Sequence, residues 1–151
     1  MKRITIYALL GLVFFLNTAS MCSSDDASSA TNQTNVINTA TSGSWRITSY
    51  VDSGVVKTNN FLGYNFTFSQ NGILTAIGNG QSYSGTWSVT DSNSNDDSLN
   101  DLDFNIAFSS PANFFDLTDD WDIVSRTDTK IVLIDISGGS GGTDNLTFEK
   151  N

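Results

Sequence analysis

From Gly43 to Asn151, apolar residues alternate with polar ones in one short run after another, and a period of two is typical of a half-buried β-strand. In the clearest run, Tyr64, Phe66 and Phe68 are separated by single polar residues. Segments rich in Gly, Asn, Ser and Asp lie between the runs and favour turns. The eight strands that this pattern predicts centre on Trp45–Val51, Tyr64–Phe68, Leu74–Ala76, Tyr83–Val89, Leu102–Phe108, Trp121–Ile123, Lys130–Ile136 and Leu146–Phe148.

Strands of this kind must close on themselves or stack into two sheets, because an open sheet leaves an apolar face and two edges exposed to water. Sequential hairpins that close into a barrel are the simplest solution. Between the fifth and sixth strands, the segment Pro111–Leu117 predicts a single helical turn with Pro at its start. The sequence therefore predicts an all-β fold, an eight-stranded antiparallel up-and-down barrel with one short helical turn.

The start of the chain has the order of an export signal. Lys2 and Arg3 precede an apolar run from Ile4 to Leu16, and a stretch of small and polar residues leads to Cys22. The apolar run is shorter than the roughly 20 residues that cross a bilayer, so removal during export is the better interpretation. Cys22 is the only cysteine, which rules out an intrachain disulfide.

The net charge is −9, and removal of the signal leaves five basic residues against sixteen acidic ones. Nucleic acid is an unsuitable partner for such a chain, because its phosphates attract basic residues and repel acidic ones. Fifteen of the acidic residues are Asp, which favours turns and loop ends over helices.

The junction at Cys22 resembles a bacterial lipoprotein signal, and the sequence Cys22-Ser23-Ser24-Asp25-Asp26 is similar to the start of surface lipoproteins of Bacteroidetes. The resemblance implies cleavage before Cys22, a diacylglyceryl group on its thiol and N-acylation by a further chain such as palmitate. Two or more acyl chains give stable membrane anchoring. The implied location is the outer membrane, anchored by lipid and facing the cell surface. The alternative is cleavage after Ala19 or Met21 by an ordinary signal peptidase.

Residues 22–42 contain almost no aromatic or aliphatic side chains to bury, so they are predicted to be disordered. The predicted organisation is a lipoprotein signal peptide at 1–21, a lipidated Cys with a disordered linker at 22–42, and a β-barrel domain at 43–151.

At the head of the first strand, Gly43-Ser44-Trp45 looks like the G-x-W motif of lipocalins, and the segment from Gly43 to Lys150 is similar to small bacterial lipocalin-like domains. In that family the Trp packs across the closed end of the barrel, and a basic residue from the last strands lies over its ring. Trp45 matches the first role. Arg126 and Lys150 are both candidates for the second.

Catalysis is not predicted, and neither is a cofactor. The chain has no His, and the resemblance commits its one Cys to lipid, so nucleophilic chemistry has no recognisable base. Paired carboxylates hydrolyse glycosides when a cleft holds them together, but here they are predicted to be solvated or turn-capping. The four carboxylates that raise this alternative are Asp116, Asp119, Asp120 and Asp122.

A metal site is likewise not assigned. Zinc lacks its usual His and Cys ligands. The loop Asp91–Asp97 offers oxygen ligands for calcium at alternate positions, although loops of Ser, Asn and Asp are ordinarily just flexible.

The remaining candidate site is the barrel interior. Eight strands enclose a space that is either filled by side chains or wide enough for one small ligand. The sequence predicts non-covalent binding of a small apolar or amphipathic ligand. The alternative is a non-enzymatic structural or interaction module whose filled barrel contacts envelope proteins or polysaccharide. The predicted ligand-binding residues are Tyr64, Phe66, Phe68, Tyr83, Trp87, Phe104 and Trp121.

Overall fold

The fold is known from a computed structural model that describes residues 25–91, 102–137 and 142–151, with side chains described from Asn32 onwards. These ranges contain two α-helices, a short 3-10 helix and nine β-strands. In chain order they are α1 (Asp25–Thr41), β1 (Trp45–Asp52), β2 (Val55–Val56), the 3-10 helix (Thr58–Phe61), β3 (Tyr64–Phe68), β4 (Ile73–Gly78), β5 (Gln81–Asp91), β6 (Leu102–Ala107), α2 (Ala112–Phe115), β7 (Asp119–Arg126), β8 (Lys130–Ile136) and β9 (Thr143–Lys150).

The strands form a closed antiparallel barrel, as the sequence predicts. From β3 to β9 each strand pairs with the next, and β9 returns to pair with β1, where Trp45 lies opposite Lys150. β1 also pairs with β3, through Trp45 and Phe66. All eight predicted strands are present. The ninth, β2, is an extra strand of two residues that pairs with β1 in a tight hairpin.

The alternation in the sequence matches the two faces of the barrel wall. On β3, Phe66 and Phe68 are buried, whereas Asn65 and Thr67 between them are exposed. Burying each such ring stabilises the fold by about 1.5–3 kcal/mol relative to leaving it in water. Side chains of this kind from every long strand form one continuous core.

Antiparallel pairing gives the barrel two ends that differ in what covers them. One end, which we call the α1 end, is where β1 starts at Trp45, β5 finishes beyond Val89 and β7 finishes at Arg126. The α2 end is the opposite one, where β1 finishes beyond Tyr50 and β3 begins at Tyr64. Each end is closed by residues from outside the eight barrel strands.

Helix α1 covers its end and corrects the prediction of a disordered linker up to residue 42. Val36 and Ala40 are fully buried, and Nε1 of Trp45 donates a 2.8 Å hydrogen bond to the Ala40 carbonyl. The amide of Gln33 donates to the carbonyl of Val89 on β5. Composition predicted disorder because this segment has few apolar residues, but those few lie on one helix face and pack on the barrel rim. No helix in the described part has the length and apolar character that a membrane crossing requires.

The 3-10 helix and α2 together cover the other end. The predicted helical turn is confirmed: α2 begins directly after Pro111. Phe61 and Phe114 are both buried, and their ring centroids lie 5.4 Å apart in an edge-to-face arrangement. The connections at this end therefore contribute side chains to the core.

Gly85 on β5 is required by close packing beneath this cover. A Cβ atom at this position would lie 2.4 Å from the carbonyl oxygen of Ala107 and 2.8 Å from the ring of Phe108. Since neither atom lies at the end of a flexible chain, a larger residue here would push β5 and β6 apart.

Candidate functional site

The structure brings the predicted ligand-binding residues together, and their rings fill the space that they surround. Phe66, Phe68, Phe104 and Trp121 are fully buried, and Trp87 is 6% exposed. The ring centroid of Phe68 lies 5.1 Å from that of Trp87 and 5.4 Å from that of Phe104. Contacts at these distances are those of a packed aromatic core.

The polar atoms of the buried indoles are satisfied within the protein. Nε1 of Trp87 donates a 2.9 Å hydrogen bond to the carbonyl of Ser69, and Nε1 of Trp121 donates a 3.1 Å bond to that of Leu117. A ligand is not needed to pair these two donors.

Tyr64 and Tyr83 are half-buried at the α2 end. Their ring centroids lie 5.9 Å apart. Burial is the main reason that the pKa of Tyr83 is raised, and the neighbouring Tyr64 raises it further. Phe114 lies against both, with its ring centroid 4.7 Å from that of Tyr83 and 5.1 Å from that of Tyr64.

Phe114 is the residue that completes the filling, and the sequence analysis did not single it out. Its ring contacts five others, which belong to Phe61, Tyr64, Phe66, Tyr83 and Phe108. The sequence signal was the aromatic pair Phe114-Phe115 inside the segment that was predicted as a single helical turn. One ring of the pair is buried, and the other is 58% exposed.

A charged cluster joins the two parts of this cover. Nζ of Lys57 pairs with the carboxylates of Asp52 and Asp116, and its distance to Oδ2 of Asp116 is 2.8 Å. Hydrogen bonds to Asp116 and Asp52 raise the pKa of Lys57. The cluster connects the end of β1, the segment before the 3-10 helix and the residue after α2.

Around this cluster, the α2 end is both acidic and apolar at its surface. Asp135 on β8 lies opposite Asp144 on β9. In the described part of the chain, neither of them forms an ion pair, and Lys57 is the one cation at this end. The exposed apolar side chains near it are Val55, Val56, Leu62, Phe115 and Ile136.

The four Asp residues that raised the alternative of glycoside hydrolysis lie in different environments and do not form one cleft pair. Asp116 is paired with Lys57, and Asp120 and Asp122 are exposed on the outer face of β7. Burial, the side chain of Asp120 and the charge of Asp135 raise the pKa of Asp119 to about 6, although the hydrogen bond from the Asp120 main-chain amide acts in the opposite direction. Within the described ranges, no group of three His, Cys, Asp or Glu residues is placed to hold a metal ion.

On the same outer face, Asp103 of β6 lies directly opposite Asp122 of β7. Burial, followed by the charges of Asp120, Asp122 and Asp91, raises the pKa of Asp103. Like charges opposite each other across a strand pair are destabilising, so this face lowers the stability of the folded state at neutral pH. Cys22 and the loop after Asp91 lie outside the described residues.

At the α1 end, the structure distinguishes the two candidates for the position over Trp45. Nζ of Lys150 lies 5.4 Å from the ring centroid, whereas the guanidinium of Arg126 reaches α1 instead, where Nη1 donates to Oγ1 of Thr39 at 2.5 Å. The cation–π role that the resemblance implied is therefore filled by Lys150.

Open depressions line the outside of the barrel wall. One of about 450 Å³ lies over β5, β6 and the start of β7, where Ser88, Asn105 and Asp119 contribute to its lining. A smaller one of about 180 Å³ lies between Ile37 of α1 and Val89. A polar groove of about 660 Å³ lies between α1 and the last strands.

No family model matches the chain, and no curated protein matches it in sequence. Among solved structures, the chain is similar to a DUF4847 family protein from Bacteroides vulgatus, with a TM-score of 0.48 and 15% sequence identity. The similarity covers 77% of this chain and 97% of that protein. A likeness at this level carries no conclusion about function.

Proposed function

We propose that this chain is a lipid-anchored cell-envelope protein whose filled barrel acts as a rigid, non-enzymatic module that contacts another envelope protein. The observation that carries the proposal is the position of Phe114. Its ring packs against five other aromatic rings and occupies the end of the interior through which a ligand would enter. A core packed in this way holds one conformation of the surface above it.

The α2 end is the surface that we propose for the contact. Helix α1 begins three residues after Cys22 and packs on the opposite end, so a lipid on Cys22 would leave the α2 end turned away from the anchor. The exposed apolar side chains of this end, and its Asp residues that form no ion pair with a described residue, are complementary to a partner with basic and apolar side chains. A protein offers both, which favours it over a polysaccharide.

Site-specific photo-crosslinking in the native host tests this contact. A photoreactive amino acid replaces Phe115 at the α2 end or, as a matched control, the exposed Thr127 at the α1 end. We expect a discrete protein adduct from position 115 and none from position 127. Equal adducts from both positions, or none from position 115, would contradict the proposed surface.

Ligand binding inside the barrel is the alternative function, and native mass spectrometry distinguishes it from the filled module. Protein purified from cells grown with lipid and polysaccharide extracts is expected to show its bare mass, because the aromatic interior is already packed. A reproducible extra mass that is lost on denaturation would favour the binding function instead.

The lipid anchor is tested separately with Cys22→Ser. An alkyne-labelled palmitate analogue should label the parent protein and fail to label the variant, which should also leave the membrane fraction. Labelling that persists in the variant would contradict lipidation at Cys22.

A further inference from the structure

The polar groove at the α1 end contains two cations that form no ion pair with a described residue. It is lined by Asn35, Asn38, Thr39, Ser42, Arg126, Asp128 and Lys150. The side chains on one wall belong to α1 and the residue that follows it, and those on the other belong to β7, the turn after it and the end of β9.

The other cations in the described part of the chain are ion-paired. Arg46 and Lys130 both pair with Glu149, and Lys57 pairs with Asp52 and Asp116. Arg126 and Lys150 form no ion pair with any described residue. In a chain with a net charge of −9, two cations that line the same groove without an ion pair favour an anionic ligand.

Neutral partners hold both cations in place. Nζ of Lys150 donates to Oγ of Ser42 at 2.9 Å and to the carbonyl of Asp128 at 3.0 Å. Arg126 donates through Nη1 to Thr39, while its Nε is buried without a hydrogen-bond partner among the described residues. Buried donors are almost always paired, so this unpartnered Nε is an exception in the described part of the chain.

We propose that this groove binds a phosphodiester group. Arg and Lys side chains are the usual ligands of phosphate oxygens, and the side-chain amides of Asn35 and Asn38 supply further donors. The carboxylate of Asp128 offsets one of the two positive charges, which favours a singly charged phosphodiester over a more highly charged phosphate monoester. A groove of about 660 Å³ has room for the diester and the small polar groups attached to it.

Two sources offer this chemistry: the headgroup of a phospholipid and a soluble phosphodiester. The chain is acidic overall, so general attraction to an anionic surface does not explain binding at this groove. The groove lies at the α1 end, and α1 begins three residues after Cys22. The inference does not depend on the proposed contact at the α2 end.

The test is a calorimetric titration of the processed protein, purified in an uncharged detergent that contains no phosphate. One arm adds glycerophosphoglycerol in solution, and the other adds phosphatidylglycerol to the micelles. Binding in the first arm identifies a soluble ligand, and binding in the second arm alone identifies a lipid headgroup. The absence of binding in both arms would overturn the proposal.

Two variants show whether binding occurs in the groove. Arg126→Gln should weaken affinity by about 10–150-fold, the loss that corresponds to a charge-assisted hydrogen bond of about 1.5–3 kcal/mol. Because that change also removes a contact with α1, Asn38→Asp is the second variant. It adds a carboxylate at an exposed groove position and leaves the described contacts unchanged.

The matched control is Asn60→Asp, which makes the same charge change at the opposite end of the barrel. We expect Asn38→Asp to weaken binding and Asn60→Asp to leave it unchanged, with equal thermal midpoints. Equal affinities for the two variants would overturn the assignment to this groove.

Discussion

Oη of Tyr50 donates a 2.6 Å hydrogen bond to the main-chain carbonyl of Asp116, and so ties β1 to the residue that follows α2. The bond spans 66 residues of sequence and lies beside the ion pair of Lys57 with Asp116. Burial is the main reason that the pKa of the Tyr50 hydroxyl is raised, which keeps it protonated as a donor. These contacts hold Phe114, two residues before Asp116, in the end of the barrel.

We predict that Tyr50→Phe lowers the free energy of unfolding by about 1–2 kcal/mol, because it leaves the Asp116 carbonyl without its partner. Chemical denaturation monitored by Trp fluorescence measures the change. Tyr64→Phe is the control, since its hydroxyl lies at the half-exposed rim. Equal stability of the two variants would show that the hydrogen bond from Tyr50 to the Asp116 carbonyl does not stabilise the fold.

Phe114→Ala should be the most destabilising single change at the α2 end, with a loss of about 3–5 kcal/mol, because it removes a ring that contacts five others and leaves a cavity. The neighbouring Phe115→Ala should change stability by less than about 0.5 kcal/mol, since its ring is 58% exposed. Thermal unfolding of both proteins measures the difference. Similar midpoints would mean that the aromatic interior is not closed by Phe114.

Removal of α1 should destabilise the barrel. A chain that begins at Gly43 loses the buried side chains of Val36 and Ala40 and the acceptor of the Trp45 indole. Compared with a chain that begins at Asp25, we expect its thermal midpoint to fall by more than about 5 °C, since 1 kcal/mol corresponds to roughly 4–8 °C in a domain of this size. Equal midpoints would restore the interpretation of this segment as a tether without structural importance.

Stability should increase on mild acidification. Asp119 has a pKa raised to about 6 in the folded protein, against 3.8 as its ordinary value, so between these values the folded state binds the proton more tightly than the unfolded chain. Protonation of Asp119 therefore adds fully to the free energy of unfolding below about pH 4, and this stabilisation is lost as the pH rises through about 6. The pKa of Asp103 is also raised, which adds a change of the same sign.

Thermal midpoints at pH 7 and pH 5 test this expectation. The parent protein should be more stable at pH 5, and Asp119→Asn should be more stable than the parent at pH 7 and depend less on pH. If the midpoint rises on acidification by the same amount in both proteins, Asp119 is not the group responsible, and a fall in the parent would contradict the expectation itself.

The strand pattern could be predicted because alternation is a local property of the chain. Phe66 and Phe68 share a face whatever lies across from them, so a period of two determines both the strand and its buried side. Pro111 likewise indicated where the helical turn begins, and in the structure it is the residue directly before α2.

The candidate sites were less predictable, because they depend on residues that are distant in sequence. Nothing local distinguishes Arg126 from Lys150, and only the closure of β9 against β1 places Lys150 over Trp45. The groove between α1 and the last strands was not predicted at all, since its existence depends on α1 being a packed helix.

The sequence by itself determined an all-β barrel with a solvent-exposed outer face and an apolar interior, because apolar and polar side chains alternate along each strand. Only the tertiary structure decided whether that interior is hollow. Phe61 and Phe114 come from connections between strands, and the volume that they fill is defined by strands far from them in sequence. Packing is a property of the assembled volume, so a pattern read along one strand cannot reveal it.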